Sequence, residues 1–494
     1  MGMGLNTNIG SIQAQRALAE SRADMEKAME RLSTGLRINS AADDAAGLAI
    51  VERMNTQIRG LTMATKNAND GIALIKTVEN ALVEVSGMLQ RMRELSVQSS
   101  NDTNTATERA FANNEVSQLQ LEISRVSLNT RYNGAQVLNG SFAAKTLQVG
   151  TEAGETIAFS IDTVESATLG AFVLTSLNQA VRTNASAHAP LSGQDHAQNV
   201  TITAGSESRE IEISAGDTVR TIAKRINAVA GATGVTAEAR TFARLSTDGT
   251  STDATAKIKI NGTETAAFSL SSSDVSDAVT KINAISATTG VQASATDAYQ
   301  VLLTDKWGET IKIQNTSTRT DLKVESLANN GTSAHSTAIT MASSTDNGFQ
   351  SSATVVGTMR LTSASEFSLD SSAASGDQWF TDANTPAAMS SVGTIDIGTR
   401  IKASDAIAVI DGAIQKISSM RGGLGTLQNR LDYTVSNLMK VTEYTTGARS
   451  RIQDADFAAE TARLAKAQVL QQAGAAMLSQ ANASTDVILQ IIRG

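Results

Sequence analysis

The sequence predicts a multidomain chain. Its core is an α-helical coiled-coil bundle formed by paired N- and C-terminal segments, and it carries a β-rich α+β outer insertion. Three observations predict this. Residues 1–33 and 455–494 are both breaker-poor and apolar-striped, and neither can hide its stripe alone. From 403 onward Ile407, Ile410, Ile414, Ile417, Leu424, Leu431 and Leu438 recur at heptad-like steps, the cleanest seam in the chain. Between about 175 and 400 the composition turns to Ser, Thr, Ala and Gly with short alternating apolar runs, the period of strands. The expected division nests the ends: 1–42 with 452–494 as a terminal coiled coil, 43–175 with 402–451 as a helical rod with a small hairpin region, and 176–401 as the outer part.

Composition narrows the function. The chain has 494 residues, enough for several domains, yet only 3% are aromatic, which argues for long helices and polar β modules over one large core. The 41 Lys+Arg face 49 Asp+Glu with no basic block, so nucleic acid is not an expected partner. Cysteine is absent, which removes disulfide staples, thiolate catalysis and Cys-ligated metal. No window is apolar enough to span a membrane. The start, MGMGLNTNIGSIQAQ, has no basic segment followed by an apolar run, so no Sec-type signal is read there. That fits a cytoplasmic chain or one exported without cleavage.

Taken in order, residues 5–33 read as a helix with Leu18, Met25 and Leu32 every seven residues and Gly35 as its stop. Ser40 to Asp43 has the spacing of a capping box. A proline-free stretch, 44–99, would be a helix about 84 Å long at 1.5 Å per residue, with Gly60, Gly71, Gly87 and the run Asn67 to Gly71 as its candidate breaks. Residues 106–128 carry Val116, Leu119, Ile123 and Val126 on one face. Asn133-Gly134 and Asn139-Gly140 are turn dipeptides, followed by alternating runs, and predict a small hairpin region. In the middle, Ile226-Asn227-Ala228 with Thr233-Gly234-Val235 recurs as Ile282-Asn283-Ala284 with Thr289-Gly290-Val291. Each copy is flanked by alternating runs, so a β-β-α-β unit is expected twice, at about 199–244 and 255–304. The last forty residues carry Leu470, Ala473, Met477, Ala481, Ile488 and Ile491 at helical spacing, a stripe expected to face a partner helix. A hairpin of two such helices leaves an apolar flank, which further copies of the chain would cover.

No catalytic chemistry, metal or cofactor is expected. His188, His196 and His335 give no His-Glu-x-x-His pattern. Arg421-Gly422-Gly423-Leu424-Gly425 lacks the lysine of a phosphate cradle and is expected to give a local bend or close packing. Asp43-Asp44 reads as charge complementarity at a helix N-terminus.

The strings LNTNIGSIQAQRAL, RLSTGLRINSAADDAAGLAI, TKNANDGIALIKTVENAL and LQRMRELSVQSSNDTNT closely resemble bacterial flagellin. So do LGTLQNRLDYTVSNL and ARSRIQDADFAAETARLAKAQVLQQAGAAMLSQAN near the other end, and the two INA…TGV copies look like a module of flagellin middle regions. The resemblance covers roughly 5–145 and 403–493. It implies a subunit that polymerises into the flagellar filament, outside the cell, with terminal helices innermost and the middle facing outward. It implies export in the unfolded state by the flagellar type III apparatus and a chaperone on the C-terminal helix. Filament cap and hook-junction proteins are further implied partners. It also implies a patch read by the animal innate-immune flagellin receptor, falling on Arg91, Leu95 and Glu115. Ser96 stands where the family often has alanine, and the chain ends Ile-Ile-Arg-Gly. The alternatives are a hook–filament junction protein, which shares similar ends, and a filament subunit with an added adhesive or glycan-binding outer domain.

Overall fold

A computed structural model describes residues 7–177, 180–184, 197–248, 255–296, 298–334, 337–343, 351–371, 380 and 384–493. His188, His196 and His335 lie outside the described residues. Helices of eight residues or more, among those described, are α1 (Ile9–Thr34), α2 (Ala45–Ser99), α3 (Ala106–Asn129), α4 (Val219–Ala228), α5 (Ser276–Asn283), α6 (Arg400–Gln453) and α7 (Phe457–Arg493). Packing divides the chain into two compact units, one of 1–76, 144–159 and 425–494, the other of 77–143 and 160–424. The partition thus falls inside α2 and α6 rather than at their ends.

In the first unit, α1 starts at Asn8, whose Oδ1 accepts the Ser11 N–H at 3.0 Å. It stops at Gly35, which turns left-handed (φ 73°) and donates to the Arg31 carbonyl. The expected capping box at Ser40 to Asp43 is corrected. Asp43 accepts from the backbone of Asn39 and Ser40 in a turn of its own. It is Asp44 whose Oδ1 accepts the Gly47 N–H at 2.8 Å at the start of α2. α2 is then unbroken for 55 residues. Asn67 to Gly71 do not cap a break; they seat the hairpin of Lys145–Gln148 and Thr156–Phe159. Asn67 Nδ2 donates to the Gln148 carbonyl at 3.0 Å. A Cβ on Gly71 would stand 2.5 Å from Leu147 Cδ1 and 3.3 Å from Leu431 Cδ1. Glycine is there because a leucine knob fills the space above it.

In the second unit, α3 opens with a capping box: Thr105 Oγ1 accepts the Glu108 N–H, and the Glu108 carboxylate accepts the Thr105 N–H at 2.7 Å. Arg131–Tyr132 and Ala135–Gln136 form a hairpin turned by Asn133 (φ 48°) and Gly134 (φ 82°), the left-handed pair that a two-residue turn needs.

The β-rich part is organised on one strand, Thr236–Thr247. Its first half pairs with Thr358–Ser363, and its second half with Val301–Asp305 and Leu322–Ser326. Two cores flank it. One gathers Val200, Ile202, Ile211, Ile213, Ile222, Ile226, Met359 and Leu361. The other gathers Ile258, Ile260, Phe268, Ile282, Val291, Leu303, Ile313 and Val324.

Each core holds one copy of the sequence repeat, and the repeated letters do the same job in both. Asn227 Oδ1 accepts the Ala237 N–H and its Nδ2 donates to the Ala237 carbonyl, both at 2.8 Å. Asn283 holds Ala293 in the same way, at 2.7 and 2.8 Å. Gly234 (φ 68°) and Gly290 (φ 75°) end the helical segment in left-handed geometry. The motif is therefore a lock between a helix and the strand after it. The hairpins differ: Gln198–Ala204 and Glu207–Ile213 form an unbroken ladder. In the second copy the register slips by one residue between Lys259↔Glu264 and Ala256↔Phe268, the mark of a bulge.

Candidate functional site

The surface of interest is the pairing of the chain ends. α1 and α7 lie antiparallel. Asn8 Nδ2 donates to the Ala481 carbonyl at 2.9 Å, and Arg31 meets Glu460 at 3.2 Å toward the other end. Their shared seam has heptad spacing. On α1 the buried and half-buried positions are Ser11, Ala14, Leu18, Ser21, Met25, Ala28, Arg31 and Leu32. On α7, among the described side chains, they are Glu460, Leu464, Ala467, Gln471, Gly474, Leu478 and Ala481. A Cβ on Gly474 would come within 3.2 Å of Leu18 Cδ1. Small residues let the two helices approach closely.

The structure thus keeps Leu18, Met25 and Leu32 on the seam and corrects the α7 stripe. Leu470 (48% exposed) and Met477 (65% exposed) point away from α1. Of the predicted stripe Ala481 is on the seam, while Leu470 and Met477 are replaced there by Ala467 and Gly474. Heptad steps counted from Glu460 would have found it. The side chains of Ile488 and Ile491 lie outside the described residues.

Glu460 is buried in the seam and is answered by Arg31 and by Arg463 at 2.9 Å. Beside it, Lys27 stands 3.2 Å from Asp43. The Lys27 ammonium, with the backbone N–H groups of Ser40 and Asn39, holds the Asp43 carboxyl down at about 2. A charged pair inside a seam of small and apolar residues fixes which turn of α1 meets which turn of α7.

Along the rod, Ile410, Ile417, Leu424, Leu431 and Leu438 are buried, and Ile407 and Ile414 are half-buried. Leu438 packs with Leu61 and Ala64 of α2. Next to that contact an open groove of about 710 Å³ is lined by Thr62, Thr65, Val435 and Met439. Close packing, one of the two outcomes expected of Gly422, Gly423 and Gly425, is corrected. α6 runs through them, and nothing stands within 4 Å of where their Cβ atoms would be.

Arg91, Leu95 and Glu115 are brought near one another, with different exposure. Arg91 Nε donates to Glu115 Oε1 at 2.7 Å, and its Nη1 donates to Glu94 at 3.1 Å. The hydrogen bonds to Glu115 and Glu94 raise the Arg91 pKa above its ordinary value. Leu95, one turn further along the same helix as Arg91, is buried.

Among the described residues no cluster of three His, Cys, Asp or Glu side chains is placed to hold a metal ion. No described helix is long and apolar enough to cross a membrane.

Comparison with known proteins agrees along the whole length. Residues 5–143 match the bacterial flagellin N-terminal helical region, 407–492 the bacterial flagellin C-terminal helical region, and 199–253 the flagellin hook IN motif. The chain is 36% identical to the B-type flagellin of Pseudomonas aeruginosa, with 100% of both chains covered. It is 30% identical to flagellin B of Vibrio cholerae and 32% identical to a flagellin of Salmonella choleraesuis, again over 100% of both. Among solved structures, FliC from Burkholderia pseudomallei is matched at 16% identity and a TM-score of 0.30, covering 73% of this chain and 99% of that one.

Proposed function

Since the chain belongs to the bacterial flagellins and is a structural component of the flagellar filament outside the cell, we propose that its polymerisation buries the apolar flank of the terminal coiled coil. One observation carries this reading. Val469, Leu470 and Met477 on α7, with Ile9, Ile12 and Met29 on α1, are exposed large apolar side chains off the intramolecular seam. At about 25 cal/mol per Å² of apolar surface removed from water, repetition over many copies makes the polymer strongly favoured. The terminal coiled coil is the inner, channel-lining layer, the 43–175 and 402–451 segments form the rod around it, and 176–401 faces outward. The resulting stiff tube transmits motor torque for swimming.

The subunit travels unfolded through the flagellar type III apparatus, and an export chaperone covers the exposed α7 face until assembly. Filament cap and hook-junction proteins meet the same terminal helices. Electron microscopy of the purified chain tests the reading: the full chain forms filaments and a chain lacking 455–494 does not. Filaments from the truncated chain would contradict it.

The Arg91–Glu115 pair serves both packing between copies and recognition by the animal innate-immune flagellin receptor. Reporter-cell activation by Arg91→Ala monomer is expected to fall at least several-fold. Unchanged potency removes the receptor role.

A further inference from the structure

Asn133, Asn139, Asn261, Asn330 and Asn347 each precede a glycine, and Asn347 lies outside the described residues. Such a pair is open to one spontaneous reaction, because glycine has no side chain to shield its backbone nitrogen. That nitrogen attacks the Asn side-chain carbonyl carbon. An N–Cγ bond forms, Nδ2 leaves as ammonia carrying the displaced backbone proton, and a five-membered succinimide results. Water then opens the ring. Opening at the backbone carbonyl leaves isoaspartate, and opening at the side-chain carbonyl leaves aspartate.

The described pairs differ in how the side-chain amide is held. Asn139 Nδ2 donates to Gln136 Oε1 at 2.6 Å, and its Oδ1 accepts the Ser141 N–H at 3.1 Å and the Ser141 hydroxyl at 2.6 Å. Asn261 Oδ1 accepts the Lys312 N–H at 2.9 Å, and its Nδ2 donates to the Thr289 carbonyl at 3.0 Å. Asn330 Oδ1 accepts the Thr332 and Ser333 N–H groups, both at 3.0 Å, and its Nδ2 donates to the Ser333 hydroxyl at 2.9 Å. Each of these amides must give up its hydrogen bonds before its carbonyl carbon can swing onto the glycine nitrogen. Asn133 has nothing to give up. It is exposed at the tip of the Arg131–Gln136 hairpin, and its side chain has no hydrogen-bond partner among the described residues. The nucleophile is free as well, since the Gly134 N–H has no acceptor among the described residues. Beyond its chain neighbours, nothing stands within 4 Å of where a Cβ on Gly134 would be, so the peptide plane can turn without a clash.

We propose that Asn133 is a site of spontaneous deamidation in the folded chain, passing through the succinimide to isoaspartate and aspartate with water as the co-reactant. Isoaspartate adds a backbone atom to a two-residue turn and breaks the facing of Tyr132 and Ala135. That hairpin covers the end of α3: the Val137 N–H donates to the Thr130 carbonyl at 3.3 Å, and Gln136 Nε2 donates to the Leu128 carbonyl at 2.6 Å. Conversion therefore loosens the last turn of α3, and the converted fraction grows with the age of the molecule.

Peptide mapping of the soluble full-length chain tests it. The chain is aged in mildly alkaline buffer, folded in one sample and unfolded in guanidinium chloride in the other. Electron-transfer fragmentation follows each site and separates isoaspartate from aspartate. In the folded chain Asn133 is expected to convert at least about tenfold faster than Asn139, Asn261 and Asn330, the ratio that surrendering two or three hydrogen bonds imposes. In the unfolded chain the same sites are expected to react within a few-fold of one another, with isoaspartate the larger product in both samples. Conversion of Asn133 no faster than that of the other sites in the folded chain, the same ranking in the unfolded chain, or aspartate as the sole product overturns the proposal.

Discussion

Asp321 and Arg319 show what a single pair does inside the β-rich part. Both side chains are buried, and Arg319 Nε and Nη2 reach the two Asp321 oxygens at 2.8 Å. Arg319 also donates to the Leu270 carbonyl at 3.0 Å, and Thr247 Oγ1 donates to Asp321. Burial pushes the Asp321 carboxyl up, and the Arg319 and Thr247 hydrogen bonds more than reverse it, to about 2. A folded-state value below the unfolded one stabilises the fold above the unfolded value of 3.8 and loses that contribution as pH falls toward about 2. Asp321→Asn leaves a buried guanidinium without its counter-charge, at a cost of about 3–5 kcal/mol. Urea unfolding at neutral pH measures that loss. The variant is also expected to lose part of the stability change between roughly pH 4 and pH 2. Identical acid unfolding of the two proteins would count against the assignment.

Single elements carry opposite tests in one helix. Gly412 of α6 has no room: an added Cβ would sit 2.7 Å from Ala171 Cβ and 2.9 Å from the Gly170 carbonyl oxygen. Gly422 and Gly423 have open space. Gly412→Ala is therefore expected to destabilise by about 1–3 kcal/mol, and Gly422→Ala to stabilise by up to about 1 kcal/mol. Thermal unfolding of the two variants decides it; shifts of the same sign would mean the helix environment has been misread. The long helices were legible because heptad steps and an end signal such as Gly35 are local. The face of α7 was not, since close approach selects small residues at Ala467 and Gly474 while Leu470 and Met477 carry the stronger hydrophobic signal outside. The repeat was visible as letters, but its meaning lay in hydrogen bonds from Asn227 to Ala237 and from Asn283 to Ala293. Strand order was beyond reach: Thr236–Thr247 pairs with Thr358–Ser363 across more than a hundred residues, and no local pattern encodes that choice.

For the whole molecule, the proposed function divides α7 into two faces: one that sets Ala467, Gly474 and Ala481 among Leu464, Gln471 and Leu478 against α1, and one of large apolar residues left for other copies. The patch on Arg91 and Glu115 was legible only through family resemblance, because the bond between them joins two helices. The direct test is the double variant Leu470→Glu, Met477→Glu in the full-length chain, followed by sedimentation and electron microscopy under polymerising conditions. Both positions lie off the α1 seam, so the subunit is expected to keep the wild-type circular dichroism while forming no filaments. Filaments of normal length and yield from that variant would contradict the division of labour on which the account rests.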